Sequence, residues 1–195
     1  TNIVFMGMGE PFDNLESILT ILEIITADYG LAWSPRRVTV STIGHLKGMK
    51  AFLEKSECHL ALSLHSPFHA ERLSLMPIEK AYPIQEVLAE IRKYDFSKQR
   101  RVSFEYIMFN DLNDTVRHAV ELVKILKGID CRVNLIRFHA IPGVVLKTSD
   151  NDKMIAFRDY LTRNGITTTI RKSRGEDIFA ACGMLSTSKK TANQK

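Results

Sequence analysis

Residues 174 to 185 of the chain read RGEDIFAACGML, and this stretch carries the most suggestive reactive group in the sequence. The thiol of Cys182 is flanked by two alanines and a glycine and follows the basic loop RKSRG. Nearby arginine and lysine favour thiolate over thiol, and small neighbours leave the sulfur accessible. Cys182 is therefore a candidate nucleophile or group carrier, although a lone cysteine of this kind is more often a small buried structural residue.

A second set of candidate residues follows predicted strands. Gly9 and the other glycine of GMGEP (residues 7–11) allow a ligand to approach the backbone, and Glu10 offers a carboxylate to a cation such as an α-amino group. Comparable polar or flexible residues end or follow the later strands: Ser41, Gly44, Ser63, His65, Asn110, Asp111, His139 and Arg171. Each alone is weak, because a G-x-G turn or a single histidine is more often structural. Together they favour a ligand site.

The elements that must position these residues alternate along the chain. Apolar and β-branched runs predict strands at 2–6, 38–42, 59–64, 102–109, 133–138 and 166–170. Helical spacing of apolar residues predicts helices at 15–29, 45–55, 84–94, 114–127 and 152–164, with Asn14 and Asp114 as caps and a long loop before Pro83. This alternation predicts a parallel α/β sheet, open or closed into a partial barrel. In both, ligands bind at the carboxyl ends of the strands.

Composition limits the class of protein. The 195 residues are 45% hydrophobic and 25% charged, which is typical of one folded domain. No apolar run is long enough to span a membrane, and no signal peptide opens the chain. Cysteines 58, 131 and 182 lack metal-ligand spacing and do not form an even set, so we expect a reducing cytoplasm and no metal ligands in this chain. The net charge of +5 favours a phosphate-bearing partner, with solvated loop charge as the alternative.

The first residues indicate that the chain is part of a longer protein. Thr1 leads directly into the apolar run NIVFM, with no starter methionine and no cap before it. A domain rarely begins inside a core strand. We therefore expect further sequence upstream.

Five motifs in this order resemble one family. GMGEP, VTVSTIG, LSLHSP, VNLI and RGEDIFAACG are similar to the motifs of radical S-adenosylmethionine (SAM) enzymes that methylate carbon 2 of adenine in 23S rRNA and some tRNAs. The resemblance covers residues 1–185, and we expect the tail, 186–195, to be disordered. It implies a partial parallel (βα)6 barrel, here as a truncated piece.

The resemblance also implies roles for individual residues. Gly9 and Glu10 would hold the amino end of SAM, while Ser41 and the segment Ser63-Leu64-His65 would contact its other polar groups. His139 stands where the family has an asparagine that contacts SAM, and Met184 stands where glutamine is usual. Cys182 matches the cysteine that carries the methyl group.

The mechanism implied by the family uses two molecules of SAM. One methylates the sulfur of Cys182, and a second is cleaved at a [4Fe–4S] cluster to a 5′-deoxyadenosyl radical. That radical takes hydrogen from the S-methyl group, and the carbon radical adds to adenine. The implied partners are 23S rRNA, tRNA and an external electron donor such as flavodoxin, with a cytoplasmic monomer as the working form.

One further departure from the family and three alternative interpretations have to be considered. The family's C-x-x-x-C-x-x-C cluster motif is absent from this sequence, so we expect it upstream of Thr1 and expect the piece alone to be inactive. A related group methylates carbon 8 of adenine on the same scaffold. A non-catalytic RNA-binding barrel is the rival from another class. An aldolase-type barrel would need a lysine or metal constellation that the strand ends lack.

Overall fold

Six parallel strands form one sheet in the computed structural model, which describes residues 1–7, 9–96, 101–139 and 144–171. The strands are β1 (Ile3–Phe5), β2 (Val38–Thr42), β3 (His59–Ser63), β4 (Val102–Met108), β5 (Cys131–Arg137) and β6 (Thr167–Ile170). They lie side by side in chain order. The prediction of a parallel α/β sheet is confirmed.

The order of the strands determines which face of the sheet is covered. Parallel crossover connections are almost always right-handed, so a sheet in which each strand pairs with the next has its helices on one side. The covering helices are α1 (Leu15–Thr26), α2 (Leu46–Lys55), α3 (His69–Leu75), α4 (Ile84–Ile91), α5 (Val116–Leu126) and α6 (Asn151–Arg163). The other face is left to curve around an interior, as in a partial barrel.

Side chains alternate between these two faces along each strand. In β4, Phe104 and Tyr106 are fully buried in the core, whereas the alternating residues Ser103, Glu105 and Ile107 belong to the interior face, where Ser103 and Ile107 are partly exposed. The helices bury apolar residues against the core side of the sheet, among them Phe52, Leu88, Leu122 and Leu161. This alternation places the polar strand residues on the interior face.

Two sequence-based predictions about local structure are wrong. The segment interpreted as a loop before Pro83 contains α3 and a short 3-10 helix, Pro77–Lys80. Asp114 does not cap α5, whose N-cap is Thr115. The carboxylate of Asp114 instead accepts hydrogen bonds from the backbone N–H of Asp111 (2.9 Å) and the hydroxyl of Ser149 (2.7 Å). A polar seven-residue helix gives too short a period to recognise.

Within the described ranges, no helix is both long and apolar enough to cross a bilayer.

Candidate ligand-binding site at the carboxyl ends of the strands

A cavity of about 180 Å³ lies at the carboxyl ends of the strands. Residues from the ends of all six strands line it, among them Glu10, Ser41, His65, Glu105, Ile136 and Arg171. The location agrees with the general rule for parallel sheets. Of the predicted site residues, the structure brings Gly9, Glu10, Ser41, Ser63 and His65 together here.

Glu10 joins the turn after β1 to the end of β2. One carboxylate oxygen accepts the backbone N–H of Phe12 (3.2 Å), and the other accepts that of Ile43 (2.8 Å). Gly9 precedes it with a φ of 94°, a conformation that favours glycine. Within the described residues, Glu10 has no cationic partner. Each carboxylate oxygen has a further lone pair, so this charge is available to a ligand ammonium group.

Two serine side chains of the cavity lining have no hydrogen-bond partner among the described residues. The Oγ atoms of Ser41 and Ser63 line it and make no hydrogen bond to the described part of the chain. By contrast, Thr42 Oγ1 accepts the backbone N–H groups of Gly44 (3.1 Å) and His45 (3.3 Å) and so shapes the turn after β2. The two serines can therefore donate to, or accept from, a bound ligand.

Leu64 lies beside this site but does not line the cavity. Its side chain is fully buried in the core. Its backbone N–H donates to the carbonyl of Glu105 (2.9 Å), which joins the end of β3 to β4. Leu64 therefore contributes backbone position to the site rather than a ligand contact.

His65 has a strained backbone and a neutral ring. Its φ is 56°, in the left-handed region. Its Nδ1 accepts the backbone N–H of Ile107 (3.1 Å), which assigns the proton to Nε2. Burial, with a smaller contribution from the Arg72 charge, lowers the pKa of His65 to about 4. At neutral pH the ring is therefore an uncharged donor.

The lowered pKa of His65 predicts a pH-dependent stability. Its ordinary value is 6.5, so between about pH 6.5 and pH 4 the unfolded state binds more protons than the folded state. The stabilising contribution is complete above pH 6.5 and is lost as the pH falls towards 4. We expect the His65 contribution to decline by up to about 1.4 kcal/mol per pH unit across that window. Urea unfolding at a series of pH values measures it.

The matched variant for this prediction is His65→Asn. Asparagine tolerates a left-handed backbone, so the variant removes the titrating ring with little added strain. The difference between the two pH profiles isolates His65 from the other histidines. Parallel profiles between pH 4 and 6.5 would contradict the assignment.

Arg72 of α3 braces the ends of β2 and β3. It is completely buried, and its Nη2 donates to the carbonyls of Ile43 (2.9 Å) and Ser63 (3.0 Å), while Nε donates to that of Leu64 (3.1 Å). Its Nη1 pairs with Glu79, which is also fully buried. The sequence interpretation missed this pair, because a charged residue in a segment interpreted as a loop gives no signal of burial.

Glu79 connects Arg72 to the start of α4 and to His69. Its carboxylate accepts the backbone N–H of Ile84 at the start of α4 (3.0 Å) and contacts His69 Nδ1 (2.8 Å). Burial lowers the pKa of Arg72, and the Glu79 carboxylate opposes that shift. The pair thus links α3, α4 and two strand ends directly beneath the cavity.

A row of polar side chains forms the opposite wall. Glu105 of β4 is 4% exposed, and one of its oxygens accepts Asn134 Nδ2 (2.7 Å) and Ser103 Oγ (3.2 Å). Its other oxygen lies 3.3 Å from Arg171 Nη1. Thr169 Oγ1 donates to Asn134 Oδ1 (2.8 Å), so the row extends across β4, β5 and β6. The sequence marks Arg171 only as a residue at the end of a strand and gives no signal for Glu105.

Besides Leu64, two predicted site residues are not placed in this cavity. His139 follows β5 but is not among the residues that line it. Cys182 lies outside the described residues, as does the tail, 186–195. Its role therefore stays a prediction.

The other two cysteines lie at the amino ends of strands. Cys58 precedes β3 and is buried. Cys131 begins β5, and burial, with a smaller effect of Asp130, raises the pKa of its thiol to about 12. A thiol with such a pKa is a poor nucleophile. Among the described residues no group of three or more His, Cys, Asp or Glu side chains could hold a metal ion.

Comparison with solved structures defines the class. A radical SAM methyltransferase from Sphaerobacter thermophilus superimposes with a TM-score of 0.89 and 39% identity, covering 94% of this chain and 54% of that one. A domain of a pyruvate-formate lyase-activating enzyme from Bacteroides vulgatus has the same fold, with a TM-score of 0.67 at 16% identity, over 88% of this chain and 99% of that domain. The fold is the partial (βα)6 barrel of the radical SAM type.

Comparison with curated proteins defines the family. The chain is 68% identical over 97% of its length to the "probable dual-specificity RNA methyltransferase RlmN" of Parabacteroides distasonis, of which it covers 55%. It is 42% identical over 95% of its length to the "dual-specificity RNA methyltransferase RlmN" of Syntrophobacter fumaroxidans, of which it covers 54%. No family model matches the chain. Over the part of these relatives that it covers, the chain is similar along nearly its whole length to the proteins named RlmN.

The similarity covers only part of each relative. The chain spans about half the length of the curated relatives it matches. The resemblance that the five motifs indicated is confirmed.

Proposed function

We propose that the chain is the SAM- and RNA-binding barrel of a radical SAM methyltransferase that methylates carbon 2 of adenine in 23S rRNA and tRNA. The observation that carries the proposal is the carboxylate of Glu10, fixed by two backbone amides at the edge of the cavity and without a cationic partner in the described part of the chain. Such a group suits the ammonium of an α-amino acid. The RNA methyltransferase names of the relatives supply the substrate class.

The described residues fit SAM. Glu10 would bind the ammonium group, with Gly9 giving its backbone close access. The hydroxyls of Ser41 and Ser63 and the Nε2–H of His65 would serve the remaining polar groups, since none of the three is used within the described protein. His139 would contact SAM only if the ligand extends beyond the cavity towards the end of β5.

Bound SAM would supply the methyl group and, with a reduced [4Fe–4S] cluster, the radical that activates it. The protein's own contribution is to orient the ligand through Glu10 and to carry the methyl group on Cys182. Two alanines and a glycine beside Cys182 leave space for a methylated sulfur and then for a nucleobase.

The cluster itself does not fit the residues of this chain. Its three cysteines are at positions 58, 131 and 182, without the C-x-x-x-C-x-x-C spacing, and the first two lie at the amino ends of strands, away from the cavity. The cluster ligands would therefore belong to sequence outside this chain.

The proposed setting follows from the same family. We place the working enzyme in the cytoplasm, as a monomer reduced by an external donor such as flavodoxin. The net charge of +5 supports a polyanionic substrate, because each arginine or lysine contact to phosphate releases condensed counterions.

Nucleoside analysis tests the proposed function. The complete, cluster-loaded protein that contains this chain is incubated with SAM, a reductant and either a 23S rRNA fragment or tRNA, and the digested RNA is analysed by mass spectrometry. We expect 2-methyladenosine, and omission of the reductant is the control. 8-Methyladenosine would instead identify the related carbon-8 activity. RNA binding with no methylated product would support the non-catalytic barrel.

A further inference from the structure

Arg171 carries the one permanent positive charge among the described residues that line the cavity. The other basic side chain on the wall, His65, is neutral because its pKa is lowered to about 4. The Arg171 side chain is 43% exposed, so its guanidinium group is accessible from the cavity. A ligand entering the site therefore meets this cation.

The side-chain contacts of Arg171 to the described residues use one guanidinium nitrogen. Nη1 lies 3.3 Å from Glu105 and 3.9 Å from the sulfur of Met6, a weak acceptor. The remaining N–H groups of the guanidinium have no acceptor in the described part of the chain. Arginine presents five donors in a planar fork that matches a carboxylate or a phosphate. Most of this fork is unused.

Glu105 holds the guanidinium in place. Neutral donors, Asn134 and Ser103, fix one oxygen of its carboxylate, and the other oxygen faces Arg171. A carboxylate that is 4% exposed needs a compensating charge, and Arg171 provides it. The backbone N–H of Arg171 also donates to the Leu135 carbonyl (2.8 Å), which anchors the residue beside β5. The cation is therefore preorganised before a ligand arrives.

We propose that Arg171 binds an anionic oxygen of a ligand in the cavity, with Glu105 and Asn134 as positioning residues. The inference rests on the proposed function and extends it. Glu10 provides the negatively charged binding group of the cavity, and Arg171 would provide the positively charged one. Two sources supply such an oxygen: the carboxylate of SAM, or a phosphate of the RNA. Both present the bidentate geometry that the free edge of the guanidinium accepts.

The first experiment separates the carboxylate from the rest of SAM. Calorimetry on the complete protein compares SAM with decarboxylated SAM, which lacks the carboxylate. If Arg171 binds the carboxylate, the original protein should bind SAM about tenfold or more tightly than decarboxylated SAM, which is the contribution expected of a charge-assisted hydrogen bond. The variant Arg171→Gln should lose this preference. Arg171→Lys keeps the charge without the fork and should retain part of it.

The second experiment measures RNA binding as a function of salt. If the oxygen belongs to an RNA phosphate, Arg171→Gln should reduce the steepness of log K for RNA binding against log [salt] by the contribution of about one phosphate contact. The affinity for SAM should then be unchanged. Arg132→Gln is the matched control, because Arg132 is an exposed arginine on β5 at the opposite, amino-terminal edge of the sheet. It should leave SAM affinity unchanged.

A stability control keeps the result interpretable. Arg171→Gln leaves the Glu105 carboxylate without its counter-charge, so the double variant Arg171→Gln/Glu105→Gln is measured as well, since it removes both charges. If the double variant folds and retains both the preference for SAM and the salt slope, Arg171 merely neutralises Glu105 and the inference is overturned. If the original protein binds neither SAM nor RNA, the proposed function itself fails.

Discussion

Replacing Arg72 with methionine is expected to lower the free energy of unfolding by about 3–5 kcal/mol. The change leaves the Glu79 carboxylate buried without a partner and removes the donors to the carbonyls of Ile43, Ser63 and Leu64. Methionine fills much of the same volume, so the loss reports on charge and hydrogen bonds rather than on a cavity. Denaturant unfolding of the complete protein measures it.

Two further variants separate the contributions of charge and hydrogen bonds to this loss of unfolding free energy. Arg72→Lys keeps the charge but cannot reach all three carbonyls, so we expect a smaller loss. The double variant Arg72→Met/Glu79→Leu removes both charges, so it should cost less than the sum of the two single changes while still leaving the carbonyls unsatisfied. A loss below about 1 kcal/mol for Arg72→Met would show that the brace is not needed.

Cys182→Ala is expected to abolish RNA methylation in the complete, cluster-loaded enzyme while leaving the fold intact. The methyl carrier would be lost, and the neighbours of Cys182 are already alanine-sized. A purely structural cysteine would behave differently, with a stability loss of about 1 kcal/mol and normal turnover. Methylated nucleosides and thermal unfolding are measured on the same preparation.

Cys58→Ala and Cys131→Ala are the matched controls and should keep activity. Cys58 is buried, and the thiol of Cys131 is held in its neutral form by its raised pKa, so neither is suited to carry a methyl group. Mass spectrometry of the purified enzyme should find an additional methyl group on the peptide that contains Cys182. Methyl transfer by Cys182→Ala, or a methyl group on another cysteine, would refute the carrier assignment.

Much of the fold could be predicted from periodicity alone. The β-branched run 38–42 matches β2 residue for residue, and the other strands and most helices agree to within a few residues. Alternating strands and helices imply a parallel sheet with little ambiguity. The α3 region could not be predicted, because His69–Leu75 is mostly polar and is held by Arg72, whose partners lie in other elements.

The candidate site was only partly predictable. The carboxyl-end rule located Glu10, Ser41, Ser63 and His65, since each lies at the carboxyl end of a strand or within five residues after it. It also selected Leu64, although alternation along an extended chain turns that side chain into the core. The Arg171–Glu105 pair joins positions far apart in the chain, and the local sequence around neither residue predicts its contact with the other.

Pairing each strand with its neighbour in the chain also has consequences for folding kinetics. Each strand pairs with the next strand along the chain, so every pairing closes a chain segment of moderate length. The sheet can therefore form one strand and helix at a time during folding. The contact between Arg171 and Met6, by contrast, joins positions 165 residues apart. Closing so long a loop is entropically disfavoured until the intervening units are formed. The wall that carries Arg171 should therefore be completed late, after the β2–β3 end that Arg72 braces.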